Sequence, residues 1–296
     1  MTELSTQTDT PPDANAGKQE RRRRVHATWA AVAGSWAKYA DYTDARHAPE
    51  TSTMLAAVAP AQGEHVLELA CGAGGLGLAA VELVAPTGRV VLSDVAAEMT
   101  QIAAARADAA GALNTEIRVL DLEDIAEPDA SYDVVLCRHG LQFTIEPTAA
   151  AEQIARVLRP GGRIAVSVWG PAEANPWLGV VMDAVRTHVG HQVPPPGMPG
   201  PFSLSQPERL AGMFDAAGLC DVEVHQVSVP MDADGFESWW ARTSGLAGPL
   251  STILSRIDEQ GGTAIRELAR ASLADYATPN GYHLPGLALV ATARRP

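Results

Sequence analysis

The chain has 296 residues, 46% of them hydrophobic, and a formal net charge of −13 at neutral pH. This suits one large or two small domains with a full core and argues against a general nucleic-acid binder, which needs a basic face. Its three cysteines, Cys71, Cys137 and Cys220, lie far apart in or beside apolar strand-like runs, as reduced packing residues of a cytoplasmic protein do. No apolar run reaches the roughly 18 residues that a bilayer span requires, so no membrane partner is expected.

In chain order, residues 1–24 read as a disordered tail that ends in the basic run Arg21-Arg22-Arg23-Arg24. The run faintly resembles a twin-arginine export signal, but His26, Trp29, Ser35 and Trp36 interrupt the apolar region behind it. Residues 25–60 read as a helical cap. Trp29, Val32, Trp36 and Tyr39 fall on one stripe at helical spacing, and a second helix spans 49–58. Such a prefix suits either a lid over a ligand cleft or plain surface packing, and its helices are the expected contact of a homo-oligomer.

From 61 to 170 the pattern alternates. Strands are expected at 65–70, 89–94, 116–120, 132–137 and 163–169, with helices at 75–84, 97–110 and 148–158. This predicts an α/β, doubly wound Rossmann-like sheet with right-handed crossovers. A lid helix at 176–189 and a Pro-rich connector occupy 171–205. The core resumes at 206–234 with a helix at 206–217 and a strand at 221–229. A helical insertion covers 235–280 as a substrate lid, and 281–296 carry the final strand at 286–294. The last two strands lack an intervening crossover helix beside a parallel partner, so a seven-stranded sheet with an antiparallel last strand is expected.

The chain is organised around Val66-Leu67-Glu68-Leu69-Ala70-Cys71-Gly72-Ala73-Gly74-Gly75-Leu76-Gly77, a buried strand, a glycine turn and a helix start. Glu68 is an acid in an otherwise apolar strand, a costly placement without a partner. Asp94 ends the second strand, 22 residues after Gly72, where a carboxylate accepts from ribose hydroxyls. This pairing suits both NAD and S-adenosylmethionine.

Further blocks follow in order: Asp94 with Glu98-Met99, the strand tip Leu120-Asp121-Leu122, Tyr132-Asp133-Val134-Val135-Leu136-Cys137, and Arg156-Val157-Leu158-Arg159-Pro160-Gly161-Gly162. With the glycine turn, they resemble the class I S-adenosylmethionine-dependent methyltransferases, in particular the small-molecule branch that includes the ubiquinone/menaquinone-biosynthesis enzymes. The resemblance covers about residues 29–170 and is looser beyond. It implies that Glu68, Ala70, Gly72 and Gly74 hold the methionine part of S-adenosylmethionine and that Asp94 binds its ribose. Val95 and Met99 flank the adenine, Asp121 and Leu122 meet its edge, Arg138 lies beside the sulfonium, and Tyr39 of the cap belongs to the same site. The product would be S-adenosylhomocysteine. The chain departs from the family in carrying Glu68 where an Asp is more frequent.

The expected chemistry is methyl transfer to an oxygen, or a carbon, of a fairly apolar secondary metabolite or quinone-like acceptor, by in-line displacement without metal. His139, just past the fourth strand, is the candidate general base; His26, His47, His283 and Glu173 are rivals. Trp29, Trp36, Trp169, Glu173, Trp177, Trp239 and His283 are expected at the acceptor wall. His188 and His191 sit at a helix end before the Pro-rich stretch and read as a solvated pair. The alternative readings are an NAD-dependent oxidoreductase, a non-catalytic S-adenosylmethionine-binding protein and, within methyltransferases, C- or N-methylation.

Overall fold

The computed structural model describes residues 14–195 and 198–296. Three helices come first: α1 (Ala14–Ala30), α2 (Ala33–Lys38) and α3 (Ala40–Val58). The core then alternates through β1 (His65–Leu69), α4 (Gly75–Val84), β2 (Arg89–Asp94), α5 (Ala97–Ala109), β3 (Thr115–Val119), β4 (Tyr132–Arg138), α6 (Pro147–Val157) and β5 (Leu158–Trp169). Next come α7 (Pro176–Val189), α8 (Pro207–Ala216), β6 (Cys220–Ser228), β7 (Met231–Ala233), α9 (Phe236–Leu246), α10 (Gly248–Leu254) and α11 (Glu259–Ser272). Two short strands, β8 (Ala277–Thr278) and β9 (Gly281–Leu284), precede β10 (Leu287–Arg294).

Seven strands form one sheet in the order β3-β2-β1-β4-β5-β10-β6. β1 to β5 run parallel, and β10 enters antiparallel between β5 and β6. The expected Rossmann-like sheet with an antiparallel last strand is therefore present. A sheet covered on both faces needs apolar side chains at successive positions. Val66, Val134 and Leu136 pack with α3, α4, α5 and α7, while Leu67, Leu69, Val135 and Cys137 pack with α6 and α8. Pro147, Pro176 and Pro207 open α6, α7 and α8, where a missing N–H costs little. No helix among the described residues is long and apolar enough to cross a membrane.

Several local expectations change. Residues 14–24, read as part of a disordered tail, form the first turns of α1, and Arg22 pairs with Glu123 at 2.9 Å. Residues 1–13 lie outside the described residues. The helical stripe at 25–42 is broken at 31–32 and at Tyr39, and α3 runs through Pro49, which the sequence placed at a helix start. Proline removes one helical hydrogen bond there. Burial of Met54 and Val58 against the sheet carries the helix through it. Residues 159–162, which follow the helix expected at 148–158, bulge against β4 within β5: Tyr132 pairs with Leu158, and the next pair is Val134 with Arg163. The insertion also contributes to a second sheet, β7-β9-β8. Its strands span only two to four residues, too few to show a period in sequence.

One buried amide joins the layers. Asn175 Nδ2 donates to the carbonyls of Gly170, Pro171 and Leu287. Its Oδ1 accepts from the Leu287 N–H at 2.9 Å and from Trp177 Nε1 at 3.1 Å. Replacing Asn175 with Leu would leave these groups buried and unpaired. The expected loss is about 3 kcal/mol or more, read as a lowered urea midpoint with an unchanged slope; an unchanged midpoint would deny this amide its joining role.

Candidate active site

The parallel strands end on one side of the sheet, and the turns after β1, β2 and β4 surround one cavity. After β1 the backbone turns through Ala70 (φ 51°), Gly72 (φ 52°) and Gly74 (φ 84°). Gly72 lies under the cap: a Cβ there would sit 3.2 Å from the Trp36 indole. At Gly77 a Cβ would collide with Leu92 and Glu68, so α4 can approach the sheet only without a side chain at that position.

Glu68 is fully buried beneath this turn and is absent from the cavity wall. Its Oε2 accepts from the Gly77 N–H at 2.9 Å, which caps the first turn of α4. Burial pushes its carboxyl up to about 8. Asp94 reaches the wall. Its Oδ2 accepts from the Gly72 N–H at 3.0 Å and its Oδ1 from the Ala96 N–H at 2.9 Å. Burial raises this carboxyl too, against the pull of those N–H groups. Asp121 Oδ1 accepts from the Glu123 N–H, while its Oδ2 lies 3.6 Å from His26 Nε2 and 3.9 Å from Arg22 Nε. α1 thus closes over the acids of the third strand tip.

Ala70, Gly72, Asp94 and Val95 line the cavity with Met99, Asp121, Leu122 and Arg138. Arg138 donates to Thr51 Oγ1 at 2.7 Å. Gly74 packs on Ala103 of α5 instead. Tyr39 sits half-buried at the break between α2 and α3 with Lys38 over its ring, and Tyr42, one turn on, lines the cavity. Trp29, Trp36, Trp169 and Trp177 form the wall. Trp239 is fully buried behind it, its Nε1 donating to the Trp177 carbonyl at 3.0 Å. Glu173 and His283 are exposed and do not line the cavity; the first sits on a short 3-10 turn and the second on β9, paired with Asp232 at 2.7 Å.

His139 adopts the left-handed conformation (φ 57°) just past β4, and its ring stacks on Trp169 at 4.0 Å. The structure adds two partners from α3. His139 Nε2 lies 3.1 and 3.2 Å from the two Glu50 oxygens, and His47 Nδ1 lies 2.7 Å from Glu50 Oε2. Burial alone would raise the Glu50 carboxyl, but His139 and His47 outweigh it and hold it well below the usual range. Burial pushes the His47 imidazole down to about 3, so His47 is neutral at ordinary pH. An ionised carboxylate only accepts, so each ring turns an N–H toward it. His139 Nδ1 is then left buried without a hydrogen-bond partner. These side chains also bring their ligand atoms within 4.8 Å of one another, a donor set for a divalent cation that the metal-free expectation did not anticipate. Glu50 was missed because its acid faces inward from a helix read as a lid; its i, i+3 spacing from His47 was the available signal.

Residues 66–162 match a family described as a methyltransferase domain. The chain is similar to the nocamycin O-methyltransferase of Saccharothrix syringae, 29% identical over 67% of this chain and 75% of that one. It is 31% identical to the ubiquinone/menaquinone biosynthesis C-methyltransferase of Ralstonia pickettii, over 70% of this chain and 88% of that one. Among solved structures, the YcgJ protein of Bacillus subtilis shares the fold, with a TM-score of 0.58 and 20% identity over 83% of this chain and 97% of that one.

The buried carboxyl of Glu68 generates a stability prediction. It binds its proton more tightly folded, at about 8, than at its ordinary value of 4.5. Its contribution is therefore complete below that ordinary value and is lost as pH rises toward 8, by about 1.4 kcal/mol per pH unit. Glu68→Gln keeps an acceptor for Gly77 and escapes this loss. Thermal melts at pH 5, 6, 7 and 8 should show the variant gaining on the wild type at each step; a constant difference would contradict the raised value.

Proposed function

We propose that this chain, which belongs to the class I S-adenosylmethionine-dependent methyltransferases, methylates an oxygen, or an acidic carbon, of a fairly apolar small molecule, with His139 as general base. One observation carries the assignment of the base: a cavity-lining imidazole has one nitrogen engaged by an ionised carboxylate and the other buried without a partner. The relatives' names, an O-methyltransferase of nocamycin and a C-methyltransferase of ubiquinone and menaquinone biosynthesis, support a secondary-metabolite or quinone-like acceptor.

The cavity's chemistry fits the cofactor. Each Asp94 oxygen takes one backbone N–H and keeps lone-pair capacity for ribose hydroxyls. Asp121 and Leu122 would meet the adenine edge, Val95 and Met99 its faces, and Ala70, Gly72 and Arg138 the methionine part. When bound, S-adenosylmethionine supplies a methyl group already activated by a positive sulfur. The protein's own task is to orient the acceptor, exclude water and take a proton. Orientation contributes on the order of 7–11 kcal/mol. His139 Nδ1 receives the acceptor's proton, Glu50 stabilises the resulting imidazolium, and neutral His47 holds Glu50 by a second hydrogen bond. Trp169 fixes the plane of the base by stacking on it.

The test is S-adenosylhomocysteine formation with a panel of phenolic, enolic and quinol acceptors. His139→Ala should lower kcat by about 10²–10⁴-fold and leave S-adenosylhomocysteine binding intact; near-normal turnover would remove His139 from the mechanism. Glu50→Gln takes away the charge that supports the imidazolium, so kcat should fall about tenfold or more while S-adenosylhomocysteine binding is kept. An unchanged kcat would make Glu50 merely structural. Asp94→Ala should weaken S-adenosylhomocysteine about tenfold or more, the loss of a charge-assisted hydrogen bond; unchanged affinity would count against the cofactor site.

A further inference from the structure

Beyond the base, the cavity holds a cation that the methyl-transfer step does not use. Arg46 of α3 lines the wall with its Nε donating to the Pro230 carbonyl at 3.1 Å and its Nη2 directed at the Val229 carbonyl at 3.4 Å. Its guanidinium lies 4.1 Å above the Trp177 ring and 5.3 Å from that of Trp169. No described carboxylate forms an ion pair with it; the Tyr42 hydroxyl reaches it, and Glu50 and Asp232 act on it only through space. Burial pushes the guanidinium down to about 10, so it remains charged at neutral pH. A charge inside a protein is expensive unless something compensates it; Glu50 and Asp232 supply negative charge only from a distance, and the tryptophan faces and carbonyls that touch the guanidinium supply none.

Two hydroxyls share the cavity wall with it. Thr43 Oγ1 is buried without a hydrogen-bond partner, and Tyr42 Oη has none but the Arg46 guanidinium itself, although both residues line the cavity. Buried polar atoms are nearly always paired in folded proteins, so this neighbourhood is built for a polar guest. The opposite requirement comes from Leu178, Met182 and Leu250, which give the same cavity apolar surfaces. A guanidinium fork matches a planar oxyanion better than a point charge would.

We infer that Arg46, with Tyr42 and Thr43, forms an oxyanion subsite, and that the acceptor is a flat apolar molecule bearing a carboxylate or enolate. This rests on reading the cavity as the acceptor's place. The acceptor then carries two distinct oxygen groups. The anionic one anchors it at Arg46, and the other presents its proton to His139. The anchor makes no bond to the transferred group and sets specificity only.

The experiment is calorimetric and needs no turnover. Wild-type protein saturated with S-adenosylhomocysteine is titrated with 2-naphthoate and with 2-naphthamide, which share shape and differ in charge. The naphthoate should bind about tenfold or more tightly than the amide, the effect of a hydrogen bond to a charged group. Arg46→Met should bring the two affinities together by weakening the naphthoate alone, and Arg46→Lys should keep part of the difference. Equal wild-type affinities, no binding of either compound, or a preference that survives Arg46→Met would overturn the subsite. Should Arg46→Met fail to fold, the wild-type ratio and Arg46→Lys decide, a lysine variant without any change in ratio counting against it. A protein that prefers naphthoate yet transfers no methyl to any acceptor would keep the subsite and lose the proposed function; methyl transfer without the preference would do the reverse.

Discussion

A carboxylate sealed from water has to be surrounded by donors, and Glu50 imposes that condition on the whole active side of the molecule. It sits on α3, a helix outside the sheet, yet the rings that satisfy it come from α3 itself and from the end of β4. The pairing therefore fixes the cap against the sheet at the point where chemistry is proposed. It also sets the protonation pattern. Both imidazoles must turn an N–H toward Glu50, so each ring's other nitrogen is available to other partners. His139 occupies a left-handed backbone conformation, uncommon for a residue with a side chain, and the carboxylate and the stacked Trp169 hold the ring there.

Around this centre the lids are joined to one another rather than hinged separately. Trp36 covers the glycine turn and also donates through Nε1 to the Leu246 carbonyl at the end of α9 at 3.1 Å. Trp239 and Thr243 of α9 both reach the Trp177 carbonyl. On the far side, Arg22 of α1 grips Glu123 beyond β3. The cap, the insertion and the helix after β5 thus form a continuous cover whose inner surface is aromatic and whose fixed points are hydrogen bonds to backbone and the Arg22–Glu123 ion pair.

The sheet was legible because its signals are local. Apolar runs of strand length and glycines at the β1 turn mark β1, β2 and β4 within a residue or two. The carboxylates at strand tips followed from the same logic, and Asp94 and Asp121 reach the cavity. The cap was read less well. Pro49 resembles a helix start, and only burial against the sheet reveals that α3 continues across it. With α3 began the residues that sequence did not assign: Tyr42, Arg46 and Glu50 lie along its inner side, and their meaning depends on β4 and α7, far away in the chain. Glu68 shows the converse. An acid in an apolar strand promised a ligand, but the nearest donor, the Gly77 N–H, belongs to the chain itself.

The amide of Asn175 ties this distance along the chain to the order in which the protein is made. Trp177 is held by Oδ1 of an asparagine whose other bonds reach the backbone of Leu287, more than a hundred residues later. On the ribosome the glycine turn needs only residues before 80, whereas the His139 ring needs Trp169 beside it and Trp177 needs the backbone of β10. One side of the cavity is thus encoded early in the chain, and the anchor of the facing wall emerges last among these parts.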